Sequence, residues 1–170
     1  LEDKPHYLDE PGEFWFHKKG KGGRLYLRLP GDRNPNSITV EIGKRYNIIE
    51  DLCSEKSPHR MDVYRGDKNA LESGGLKHAV ISGLTFRFTN TWWNLEYPAW
   101  MHKEVNNAAI RLLGNTDDVT VANCTFEQVN CAVRVDPLTD KMNAQRHALR
   151  DSRIEYIDNS AISYRASKAG

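Results

Sequence analysis

Apolar and polar residues alternate with a period of two in short runs along the second half of the chain. VTVANCTF (Val119–Phe126) and CAVRV (Cys131–Val135) are the clearest, joined by a bend at Glu127–Asn130. Alternation carried by Val, Thr and Phe predicts strands with one buried face. The pattern recurs. ISGLTFRFTN (Ile81–Asn90) matches VANCTFEQVN (Val121–Asn130), with Ile81/Val121, Thr85/Thr125, Phe86/Phe126 and Asn90/Asn130 in step. LRDSRIEYID (Leu149–Asp158) is a third, looser copy that keeps Leu149, Ile154 and Ile157 at the apolar positions. The second run repeats as NAAIRL (Asn107–Leu112), NCAVRV (Asn130–Val135) and NSAISY (Asn159–Tyr164).

Three copies at offsets of 40 and 28–29 residues predict a repeat architecture. One copy cannot bury its own apolar face, so neighbouring copies must stack. Asn at each bend fits, because it tolerates left-handed backbone and its amide bonds to the next turn; a ladder of stacked Asn side chains is expected. The fold these features predict is all-β, a parallel β-helix or solenoid.

The rest of the chain is read against that pattern. EFWFH (Glu13–His17) and RLYLRL (Arg24–Leu29) flank KKGKGG, which predicts a β-hairpin. Lys18, Lys19, Lys21, Arg24, Arg28 and Arg33 make this the most basic region, read as a solvated hairpin with a polyanion contact as the alternative. SITVEI (Ser37–Ile42) and YNIIEDL (Tyr46–Leu52) are strand candidates for a first, less regular coil. A single domain over 1–170 is expected, with a hairpin lead-in at 1–45 and coils at 46–170. Insertions interrupt the coils at 53–75, 91–106 and 137–146. Only RASKAG follows the last strand, too little for a polar cap over a final coil, so an excerpt of a longer chain is expected.

Composition narrows the function classes. The 170 residues carry 24 Lys plus Arg against 23 Asp plus Glu, so the overall balance implies no nucleic-acid partner. No apolar run approaches the roughly 20 residues of a membrane span, and no signal peptide is evident. Cys53, Cys124 and Cys131 lack zinc spacing. The Cys131 slot is Ala108 and Ser160 in the other copies, which predicts a small core residue.

Alternation places Cys131, Val133 and Val135 inward, leaving Ala132, Arg134 and Asp136 outward. In register, Ala109, Arg111 and Leu113 face out on the first coil and Ala161, Ser163 and Arg165 on the third. Parallel strands stack about 4.8 Å apart, so Arg111 neighbours Arg134, and Asp136 lies beside Arg165. Adjacent arginines repel unless countered. A bound carboxylate or sulfate would relieve this, as would local neutralisation by Asp136, Asp117 or Asp118. The segment 91–106 holds Trp92, Trp93, Tyr97 and Trp100, flat faces suited either to pyranose rings or to packing as a lid.

Asp136 is the expected catalytic carboxylate, with Asp140 as its partner and His102 as an acid/base group. Arg111, Arg134, Arg165, Trp92, Trp93, Trp100 and His147 are the expected substrate contacts. Glycoside hydrolysis needs two carboxyl groups about 5–5.5 Å apart for retention or about 6.5–9.5 Å for inversion. DRNPNS (Asp32–Ser37) and DPLTD (Asp136–Asp140) have a calcium-loop flavour without the full ligand series, so no metal is expected and calcium stands as the alternative.

Through ISGLTFRFTN, VANCTFEQVN and NSAISY the chain resembles bacterial right-handed parallel β-helix proteins of the pectate-lyase-like superfamily. LDEPGEFWFHKKGKGGRLYLRLPGDRNPNSITVEI resembles the lead-in of β-helix glycoside hydrolases. The resemblance implies a secreted or periplasmic carbohydrate-active protein with a polysaccharide groove along one strand face. A glycoside hydrolase is the leading expectation. A polysaccharide lyase, with Arg134 or Arg165 neutralising a uronate, and a non-catalytic glycan-binding solenoid are the alternatives. Fold by itself does not choose among them.

Overall fold

Aromatic alternation builds the first sheet. In the computed structural model, which describes residues 8–50, 75–90, 107–137 and 142–164, β1 (Phe14–Lys19) pairs antiparallel with β2 (Gly22–Leu27). The strands run into the expected KKGKGG loop and leave only Gly20 and Lys21 as the turn. Gly20 takes the positive φ of 60° that a two-residue hairpin requires. Two 3-10 turns follow, Pro30–Asp32 and Pro35–Ser37, each opened by a proline. The chain divides into two compact units, Leu1–Glu41 and Ile42–Gly170.

The second unit contains two parallel sheets. One has the order β10-β8-β6-β3, from Arg153–Tyr164, Thr125–Asp136, Ile110–Leu113 and Ile49–Glu50, with β5 (Thr85–Arg87) also pairing β8. The other has the order β4-β7-β9, from Lys77–Ser82, Asp117–Ala122 and Ala148–Arg150. Their register follows the sequence copies. Ile81 pairs Val121, which pairs Leu149, and Phe86 pairs Phe126, which pairs Ile154. The Phe86 and Phe126 rings stack at 4.9 Å, 8° from parallel, inside a core that includes Val121, Cys124, Val129 and Val135.

The corners repeat as well. His78, Asp118 and Arg146 have positive φ, as do Gly83, Asn123 and Asp151, and Phe88, Gln128 and Tyr156. Each trio occupies equivalent positions relative to the paired apolar residues. The left-handed residue of the second bend is therefore Gln128 and not Asn130. Such backbone costs an L-residue about 1–2 kcal/mol, which the strand pairing on either side offsets. Asn130 instead spans levels through its side chain, Nδ2 donating to the Asn107 carbonyl at 3.0 Å, while Asn47 Oδ1 accepts from the Ala108 amide at 3.0 Å. Both bonds run between a side chain and the backbone.

The expectation of one right-handed parallel β-helix is corrected by this topology. The described strands form three separate sheets, one antiparallel and two parallel, and the two 3-10 turns add helical geometry. The physical reason lies in the N-terminal segment. Its strands satisfy each other locally through a two-residue turn, and Ser37–Ile42 forms no strand, with Ile38, Val40 and Ile42 exposed. Stacking registers are set by apolar periodicity, but periodicity does not state how many sheets the strands divide into.

Gly75 shows how close the approach is at one entry to the parallel strands. It has φ 124°, and a Cβ there would lie 2.1 Å from the Asn115 carbonyl oxygen. Gly75→Ala is expected to lower unfolding free energy by about 1–3 kcal/mol, through strain and overpacking. Denaturant midpoints compared with Gly12→Ala, where nothing lies within 4 Å, check the contribution of the contact.

Candidate functional site: a buried column of paired charges

Three strands of one sheet bring four charges together. Glu50 on β3 pairs in register with Arg111 on β6, and Arg111 with Arg134 on β8. Ser163 on β10 continues the row. Asp136 lies two residues along β8 from Arg134, on the same face of an extended strand. Arg111 Nη2 forms an ion pair with Glu50 Oε1, and Arg134 Nη2 lies 3.6 Å from Asp136 Oδ2. Asn47 Nδ2 donates to Glu50 Oε2 at 3.2 Å. Two positive and two negative groups therefore compensate one another.

This column is not the exterior face the alternation predicts. Asp136 is 0% exposed, and Ala109, Ala132 and Leu113 are buried beside it. The inward set Cys131, Val133 and Val135 is buried too, so over this stretch both faces of β8 are withdrawn from water. Burial has an electrostatic consequence. Desolvation, and then the adjacent Arg134, pull the Arg111 guanidinium down from its ordinary value to about 10, against the upward pull of Asp136. The stacked arginines do repel, as their spacing implies, and carboxylates from the same chain relieve them.

Of the expected site residues, the structure brings Arg111, Arg134 and Asp136 together. His147 takes a different contact, its Nε2 lying 3.0 Å from the Oγ1 of fully buried Thr116. Asp117 is held by Arg146, and Asp118 lies 3.0 Å from His78 Nδ1, so neither neutralises the arginine pair as one alternative had it. Asp140, His102, Arg165, Trp92, Trp93 and Trp100 lie outside the described residues, as does Cys53. Glu50 is the member that alternation alone did not single out. Its signal was the couplet Ile49–Glu50, equivalent in register to Ile110–Arg111 and Val133–Arg134.

Cys124 and Cys131 are free, buried thiols. Burial pushes the Cys131 thiol up to about 11, with Arg134 opposing, and its Sγ contacts the Val133 carbonyl. Such a thiol is a packing group, not a nucleophile. Among the described residues no three His, Cys, Asp or Glu side chains converge as a metal site. In DRNPNS, Asp32 pairs with Arg28, and Asn34 Oδ1 accepts from the Asn36 amide. Among the described residues no helix is long and apolar enough to cross a membrane.

His147 supplies a pH prediction. Burial lowers its pKa from 6.5, against the raising influence of Asp117 and then Asp118. The folded chain thus holds the proton less tightly than the unfolded chain. This contribution to stability is complete above the unfolded value and declines as pH falls below about 6.5. His147→Gln is expected to flatten that acid-side decline, read as the Tm change between about pH 7 and about pH 5.

Comparison of the chain with protein-family models, curated proteins and solved structures finds no match in any of the three. The fold and site thus define a β-rich protein with in-register parallel sheets and a buried, self-compensated ion column.

Proposed function

We propose that this protein binds polysaccharide, with the Glu50–Arg111–Arg134–Asp136 column as an internal support of the strand face and not as a hydrolytic or lyase centre. The observation that carries this reading is the state of Asp136, 0% exposed and within ion-pair distance of Arg134. A general acid or base must come within hydrogen-bond reach of the bond it cleaves, and a uronate cannot be neutralised by arginines already compensated inside the protein. Sugar contact is assigned to the tryptophans of TWWNLEYPAW, the segment preceding the strand that carries Arg111.

A glycan array and reducing-end release, run on the same samples, test this. Trp92→Ala with Trp93→Ala and Trp100→Ala is expected to weaken glycan retention about tenfold or more, an effect of about 1.4 kcal/mol. Asp136→Asn is expected to cost about 1.5–3 kcal/mol of stability through its lost charge-assisted contact, while the folded fraction keeps its glycan affinity. Reducing ends, or unsaturated products absorbing in the ultraviolet, overturn the reading if Asp136→Asn abolishes them at a temperature where it is folded.

A further inference from the structure

The β1–β2 hairpin has two unlike faces. Phe14, Phe16, Leu25 and Leu27 alternate onto one, together with Lys18. The other carries Trp15 opposite Tyr26, His17 opposite Arg24, and Lys19 opposite Gly22. Trp15 packs against both aromatic neighbours, 5.0 Å from Tyr26 at 32° and 5.2 Å from His17 at 41°. The result is a fixed shelf of three rings. His17, Lys19, Gly23, Arg24 and Tyr26 line an open cleft of about 470 Å³ there.

The charges of this face are unbalanced. Lys19 and Arg24 are exposed and enter no ion pair among the described residues. Arg28 on the same unit, by contrast, is tied to Asp32 and to the Leu8 carbonyl. His17 Nδ1 is enclosed without a hydrogen-bond partner among the described residues. Lys19 and Arg24 are diagonal neighbours on this face, set opposite Gly22 and His17, and an anion bound between them meets both charges. A guanidinium fork suits a carboxylate or sulfate, while Tyr26 offers a flat face to sugar C–H groups.

We propose that this face binds an anionic sugar residue, carboxylated or sulfated, with Arg24 and Lys19 holding the acid group and Tyr26 stacking under the ring. The proposal rests on the glycan-binding reading above but concerns a separate set of residues. A nucleic acid fits less well. Its backbone calls for an extended basic track, and this face offers only two cations, Lys19 and Arg24, in a chain of net charge +1.

The test is calorimetric titration of the full chain with four probes: a hexuronate oligosaccharide, a sulfated galactan oligosaccharide, a neutral galacto-oligosaccharide and a single-stranded oligonucleotide. At least one anionic sugar is expected to bind about tenfold or more tightly than the neutral one, and which one identifies the acid group. Lys19→Gln with Arg24→Gln is expected to erase that preference. Lys18→Gln, which removes a charge from the opposite face, is expected to leave it. Equal binding of neutral and anionic sugars, equal effects of the two charge removals, or tightest binding of the oligonucleotide overturns the proposal. If the preference is absent but tryptophan-dependent retention of neutral glycans persists, only the hairpin site falls. If no glycan is retained at all, the broader reading falls with it.

Discussion

Arg111→Ala is expected to destabilise the protein by about 3–5 kcal/mol, the cost typical of breaking a buried ion pair from one side. Arg111 is 7% exposed, and the side chain of its partner Glu50 only 12%. Removing the guanidinium leaves the carboxylate enclosed, with the Asn47 amide still donating to it. A compensating gain comes from Arg134, which no longer faces a like charge, so the lower half of the range is expected. Glu50→Leu combined with Arg111→Leu separates pairing from packing. Burying two ions is itself costly, and apolar replacement of a whole pair is often neutral. The double variant is therefore expected to be more stable than Arg111→Ala. Urea unfolding with unchanged slopes, run also on Glu50→Leu and Arg111→Leu singly, measures the cycle. Additive losses would show that the pair is not coupled.

Phe126→Ala is expected to be comparably severe, about 3–5 kcal/mol. The ring is 0% exposed, stacks on Phe86, and has Ile154 on its other side in register. Truncation removes contacts on both levels at once, and the paired strands above and below limit collapse into the space. The face-to-face ring pair adds about 0.5–1.5 kcal/mol beyond buried area. Ile154→Ala, at a half-buried position on the edge strand β10, is expected to cost clearly less. Equal losses at the two sites, read from denaturation midpoints, would mean that the aromatic pair does not anchor this layer.

Much of the pairing was legible from residue types. The matches Ile81/Val121, Thr85/Thr125 and Phe86/Phe126 are register partners on paired parallel strands, because burying one apolar face leaves a strand little freedom to slip. Arg111 beside Arg134 followed from the same register. The bend residue was harder. Asn130 is the usual turn former, yet the left-handed position falls on Gln128, in line with Phe88 and Tyr156. There the repeated path of the chain overrides the preference of the side chain. Glu50 was hidden because Tyr46–Leu52 reads as a strand of a less regular coil, outside the three matching copies that set the register.

The sequence by itself determined which residues stack on which, since that depends on matching apolar positions along the chain. It also determined the hairpin, whose partners are separated by a single turn. Only the tertiary structure decided how the described strands divide into three sheets, and that Asp136 and Arg111 lie inside instead of along an open groove. Alternation fixes which side of a strand a residue takes. Whether water reaches that side depends on how chain segments far apart in sequence come together, and no local pattern encodes it.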